Sequence, residues 1–200
     1  QFGRELRSQP CRRLRYLNTG AVGLKTKGSD ILVEEDAIRQ VVIEDTIKRE
    51  LEMLSTAEMI SPSQIREGLE TFAKLRWVSL AVLSTHTIKS CHGDWLNAER
   101  EEKNLVGLRF GRFNNLIGCL NLSLLIDHIM EIETKWVKEF SEENPEFAAD
   151  DSNLGETFYL RCELETYSDE TLSFYYNDVL ALNSLGQNLM KERWTLMKSL

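Results

Sequence analysis

Residues 105–140, LVGLRFGRFNNLIGCLNLSLLIDHIMEIETKWVKEF, constrain the fold more than any other stretch of the chain. From Phe113 onward the apolar residues recur at helical spacing: Phe113, Ile117, Leu120 and Leu124 form one stripe, and Leu122, Leu125, Ile129, Ile132 and Trp136 form a second. Between Leu116 and Met130 the pattern is apolar almost all round, the mark of a helix buried on most sides. Farther on, Asp127, Glu131, Lys135, Lys138 and Glu142 share a face, so that half should reach solvent. The Asn144-Pro145 pair ends the element, because the residue before proline is pushed out of the α region. The apolar core over 116–126 contains Asn121 and Ser123 and falls short of the ~20 residues a membrane span needs. The spacing therefore predicts a buried central helix over 113–140, with the other elements packed around it.

Those other elements also read as helices. Ile43, Ile47, Leu51 and Leu54 make a stripe within 35–59. Ser61-Pro62-Ser63 is a helix start, with proline at the first helical position, and the apolar run that follows extends to about Thr85. Residues 84–93, STHTIKSCHG, read as a polar connector, and Asp94 as the N-cap of the next helix. Gly107 and Gly111 mark a joint with the central helix. Residues 141–156 are acidic, contain Pro145 and Gly155 and lack periodicity, which predicts a loop. Residues 157–167 alternate like a strand, but Leu160, Leu164 and Tyr167 also fit a helix, and helical neighbours favour the helix. Ser168 or Asp169 breaks it and caps the last helix, 170–200, in which Gly186 is a tolerated interruption. Residues 21–33 carry the turn Lys-Gly-Ser-Asp and read as a small hairpin or an irregular segment.

The resulting prediction is an all-α, single-domain bundle of about six helices built on 113–140. Its helical domain covers 34–200, behind a basic N-terminal arm over 1–33. With 42% hydrophobic and 28% charged residues in 200, the composition is that of a folded domain. Only three prolines interrupt it. Charge is uneven: residues 1–30 hold seven basic and two acidic side chains, +5, within a total of -8, leaving -13 on the rest. That balance argues against a body that grips nucleic acid over its whole surface. The chain opens on Gln rather than Met, which reads as a fragment or a trimmed chain, and no signal peptide is visible. Cys11, Cys91, Cys119 and Cys162 are scattered without a CxxC, as expected of an intracellular, reducing compartment, with Cys119 a small hydrophobe inside the central helix.

Catalytic constellations are thin. Neither a GxSxG, an HExxH nor a phosphate loop is present. His86, Cys91 and His92 cluster in the polar connector, but three local candidates barely reach a metal-ligand set. His128 follows Asp127 directly, and adjacent residues on a helix point about 100° apart, so the two do not form a dyad. The apolar elements read as uninterrupted by polar clusters. The expected function is therefore a non-enzymatic protein–protein interaction or assembly module, a helical subunit or adaptor of a larger complex, with no cofactor and no membrane. Its partner would be another protein, through an amphipathic helix, or a second copy in a homodimer. Arg12, Arg13, Arg15, Tyr16, Trp95, Phe110 and Trp194 are the candidate contacts, since Arg and large aromatics anchor partner-binding surfaces. Two alternatives stand beside this reading. One is a subunit of a nucleic-acid-associated complex whose basic arm, within 1–30, touches phosphates. The other is a small helical enzyme with metal near His86, Cys91 and His92.

Overall fold

The computed structural model describes residues 28–56, 62–145 and 152–200. Eight helices account for most of them: α1 Gly28–Thr56, α2 Pro62–Ala81, α3 Thr85–Arg100, α4 Leu105–Phe113, α5 Leu124–Glu143, α6 Ser152–Leu164, α7 Asp169–Ser184 and α8 Leu189–Ser199. No strand occurs among the described residues, so the fold is all-α. No helix is long and apolar enough to cross a membrane among the described residues. Residues 35–200 form one compact unit, and every residue of the site below belongs to it.

The expected central helix over 113–140 does not exist as one element. Phe113 ends α4, residues 114–123 are non-helical, and α5 begins at Leu124. The stripe that suggested continuity is exposed in its first half, with Leu122 85% and Leu124 73% accessible. Helix-poor residues explain the break. Asn114 is the α4 C-cap, Asn115 takes a positive φ of 57°, and Ser123 opens α5 by accepting the Leu125 N–H. Cys119, expected in a buried helix, is exposed in this segment.

Other boundaries move for similar reasons. The polar connector over 84–93 is the first half of α3, because Ser84, not Asp94, is the N-cap and accepts the Thr87 N–H. Asp94 lies in mid-helix and accepts the Ser168 N–H from the α6–α7 turn. Residues 28–33 open α1 instead of forming a hairpin, while 21–27 lie outside the described residues. Gly107 and Gly111 sit inside α4, whose N-cap Asn104 bonds the Gly107 N–H and ties back to the Met53 carbonyl of α1. In the expected loop 141–156, α5 runs on to Glu143, α6 starts at Ser152, and 146–151 lie outside the described residues. The expected last helix is two, α7 and α8, parted at Gly186, whose φ of +69° is a left-handed turn natural to glycine. The helical choice for 157–167 agrees with α6, and Ser168 caps α7 by accepting the Thr171 N–H.

The role expected of a single central helix is shared by α5 and α7, which pack against each other. The α3 helix lies on α7, α8 on α2 and α5, and α6 on α4 and α5. Their shared core holds Ile43, Ile88, Ile129, Trp136, Leu164, Leu172 and Val179. A second cluster, Leu54, Trp95, Ala98, Leu105 and Val106, lies where α1, α3 and α4 meet.

Candidate functional site

The α1, α2, α4 and α6 helices bring ionised side chains together inside the protein. Glu50 continues the α1 stripe of Ile43, Ile47 and Leu54 and is fully buried. Its Oε2 accepts from Arg76 Nε of α2 at 2.7 Å, and its Oε1 from Arg109 Nη1 of α4 at 2.8 Å. Arg76 also grips Glu163 of α6 through both terminal nitrogens, at 2.9 and 2.8 Å. The Tyr167 hydroxyl donates to the same Glu163 carboxylate, and Arg109 Nε donates to Thr166 Oγ1 at 3.0 Å. The Arg109 guanidinium lies 4.8 Å from the Trp95 ring and 5.3 Å from that of Tyr167, adding cation–π attraction to the pairing. Two cations and two anions thus form a chain of zero net charge, Arg109–Glu50–Arg76–Glu163.

Glu163 and two groups near it, Cys91 and Tyr159, are held in fixed protonation states. Burial alone would raise the Glu163 carboxyl, but Arg76 and Arg109 beside it, with the Tyr167 hydroxyl, bring it down to about 2. Burial pushes the Cys91 thiol up to about 12, with Glu163 adding to it, and also raises the Tyr159 hydroxyl to about 12. Near neutral pH, Glu163 therefore has no proton to give and Cys91 is no thiolate. The arrangement acts as an internal brace joining four helices. A smaller brace stands at the other end, where Arg193 of α8 pairs with both oxygens of buried Glu133 at 3.1 and 3.0 Å, and the Tyr175 hydroxyl joins them.

The last turn of α6 links the brace to the surface. Glu165 lies two residues from Glu163, so the two carboxylates leave the chain in different directions. Glu165 Oε2 accepts from Arg112 Nε at 3.0 Å and from the Leu120 N–H at 3.1 Å. That second bond pins the middle of the α4–α5 segment. The Gly111 carbonyl holds its start, accepting from the N–H groups of Leu116 and Ile117 at 2.8 and 3.2 Å. Asn121 Oδ1 holds its end, accepting from the Ser123 N–H at 2.9 Å.

The segment presents five large apolar side chains, with Asn114 and Asn115 exposed beside them. Leu116 is 67% exposed, and Leu122 and Leu124 are more exposed still, with Ile117 and Leu120 partly so. No residue from 113 to 126 carries a charge. Phe110 and Phe113 of α4 meet Phe158 and Tyr159 of α6 in tilted and edge-on ring contacts at centroid separations of 5.7 to 5.9 Å. Scattered exposed leucines are ordinary on a protein surface, whereas here several fall on one uncharged segment.

The candidate contacts read from sequence fare unevenly. Arg12, Arg13, Arg15 and Tyr16 lie outside the described residues. Trp95 is fully buried under Arg109, so it serves the core and cannot meet a partner. Phe110 is half-buried, its ring 5.7 Å from that of Tyr159. Trp194 is half-buried on α8, 5.7 Å from the Phe140 ring, with the Lys198 ammonium 4.9 Å from its own ring. His86, Cys91 and His92 share α3 but not a site. His86 is exposed beside Phe174, Cys91 is buried, and His92 bonds Asp45 at 2.7 Å. No group of three or more His, Cys, Asp or Glu is placed to hold a metal ion among the described residues. The residues that matter most here, Glu50, Arg76, Arg109, Glu163 and Glu165, were not among the candidate site residues read from the sequence. Their signal was present: Glu50 falls on the α1 apolar stripe, four residues before Leu54.

A family model described as Protein of unknown function (DUF4125) matches residues 40–200. No curated protein and no solved structure matches the chain.

Proposed function

The chain belongs to the DUF4125 family, and we propose that it is a non-enzymatic protein–protein interaction module, a helical subunit that assembles through residues 114–124. The observation that carries this reading is the exposed apolar segment tethered to buried Glu165. A segment tied to the body through Gly111 and Glu165, and turned locally by Asn121, is ordered before a partner arrives, so little conformational entropy opposes docking. Fully burying Leu116, Leu122 and Leu124 is worth roughly 5–9 kcal/mol at about 1.5–3 kcal/mol each. Association costs about 4–15 kcal/mol in lost translational and rotational freedom. The leucines alone therefore support weak binding, and Ile117, Leu120 and the polar rim must add to them for a stable complex. The locked protonation states of Glu163, Cys91 and Tyr159 favour structural work for the interior over acid–base or nucleophilic work. The exposed free thiol at Cys119 fits a reducing compartment.

The test places a photo-crosslinking benzophenone side chain at position 122, and at exposed position 131 on α5 as a control. Irradiation of the full chain in its native cell should give a discrete protein adduct of fixed mass from position 122 and none from position 131. No adduct from position 122, or the same smear from both, removes the proposal.

A further inference from the structure

The identity of the partner follows from charge. Two copies of a chain with a net charge of -8 repel each other, and a patch free of that charge lowers the repulsion where they meet. Residues 113–126 are such a place, since none is ionised. The charged residues that flank the segment in sequence, Arg112 and Asp127, are each ion-paired. Arg112 is held by Glu165 at 3.0 Å, and Arg161 by Asp127 at 2.8 Å, with Glu165 Oε1 a further 3.5 Å contact of Arg161. Two cations and two anions thus border the leucines and cancel. A two-fold interface sets each residue opposite the same patch of its partner, and a face of one charge sign would fail there. An uncharged apolar face bordered by balanced ion pairs is self-complementary.

We propose that the occupant of this face is a second copy of the chain, in an isologous dimer centred on residues 114–124. This inference rests on the interaction reading above and names its partner. Leu116, Leu122 and Leu124 of each copy bury against those of the other, while the Arg161–Asp127 pairs meet opposite signs across the axis. Cys119 lies in the middle of the segment with its thiol exposed, so two copies bring their Cys119 thiols close together.

The experiment uses the full chain. Light scattering at micromolar concentration should give twice the chain mass of 23.1 kDa. Leu122→Asp sets like charges opposite each other in an apolar interface and should weaken association by roughly 100-fold or more, with melting of the isolated chain unchanged. In a Cys11→Ser background, a short bis-maleimide should join two chains, and Cys119→Ser should abolish the product, because Cys91 and Cys162 are buried. A monomer whose position 122 still crosslinks to a different protein overturns the second-copy inference and leaves the interaction reading standing. A monomer that floats with phosphatidylcholine vesicles, and gives no protein adduct, overturns both in favour of a lipid surface. A dimer untouched by Leu122→Asp and Leu124→Asp, without a Cys119 product, also overturns both, because the contact then lies elsewhere.

Discussion

Two regions of this protein invert the usual distribution of residues in opposite senses. Around Glu50, Arg76, Arg109 and Glu163, full charges sit in the interior. Over residues 114–124, leucines sit in water. The two meet at the end of α6, where Glu163 faces inward to Arg76 and Glu165 faces the segment, bonding Arg112 and the Leu120 N–H. A buried ion pair gives little net stability, because desolvation offsets most of the attraction, but it is strict about geometry. An apolar surface segment gains nothing in the isolated chain and is useful only if it is held in place. The comparison teaches that the internal charges set the position of α4 and α6, and that this position fixes the segment strung from them.

The largest expected effect comes from breaking the interior. Arg76→Met removes the one cation that touches both Glu50 and Glu163, leaving Glu163 with the Tyr167 hydroxyl and the more distant charge of Arg109. Orphaning a buried carboxylate costs on the order of 3–5 kcal/mol, which urea denaturation would register. A cost under about 1 kcal/mol would mean that the brace orders nothing.

Glu163→Gln sharpens the same point through pH. The folded carboxyl sits at about 2, below the ordinary 4.5, so its contribution is present above pH 4.5 and is lost as pH falls toward 2. The difference corresponds to about 3 kcal/mol. Wild type should lose that much more stability than Glu163→Gln between pH 5 and 2, and the two curves should converge in acid. Parallel curves would show that the guanidinium pairing does not hold Glu163 ionised.

Both inversions explain what the sequence did and did not disclose. The all-α class was legible because Ile43, Ile47 and Leu54, or Ile129 and Trp136, repeat at a helical period with few prolines between elements. The same rule misled over 114–123, where Leu116 and Leu120 keep a four-residue spacing without a helix under them. Periodicity registers apolar residues but not what covers them. The better guides were Asn114-Asn115, Gly118 and Asn121-Leu122-Ser123, whose side chains compete for backbone hydrogen bonds or lower helix propensity. Glu50, Glu133 and Glu163 were passed over because an isolated Glu usually marks a solvated face. Each continues a buried stripe, Glu133 between Ile129 and Trp136 and Glu163 between Leu160 and Tyr167, and a charge there must find an internal partner. Which partner it finds depends on helices distant in sequence, such as the 87 residues between Arg76 and Glu163.

A middle-sized effect should come from the link itself. Glu165→Ala leaves the Leu120 N–H and Arg112 without their acceptor at the edge of the segment. Losing a charge-assisted pair at a half-buried place costs about 1–2 kcal/mol. Hydrogen exchange at Leu120 should accelerate roughly tenfold or more while amides in α7 keep their protection. Unchanged exchange at Leu120 would separate the two regions and leave the segment ordered by its Gly111 and Asn121 contacts alone.

The smallest expected effect on stability is the most informative about function. Leu122 is 85% exposed, so replacing it with Asp removes almost no packing from the isolated chain and should change unfolding free energy by less than about 0.5 kcal/mol. Leu172, fully buried between the helices, provides the contrast, since truncating it to Ala should cost about 2–5 kcal/mol. If Leu122 is a contact residue, Asp there leaves folding intact and abolishes association, whereas Leu172→Ala lowers stability without changing the contact face. Measuring melting and self-association together for both variants decides between the alternatives. A loss of 2 kcal/mol or more from Leu122→Asp in the monomer would mean that the side chain packs within its own chain. The segment would then be part of the core, and the case for an outward-facing site would go with it.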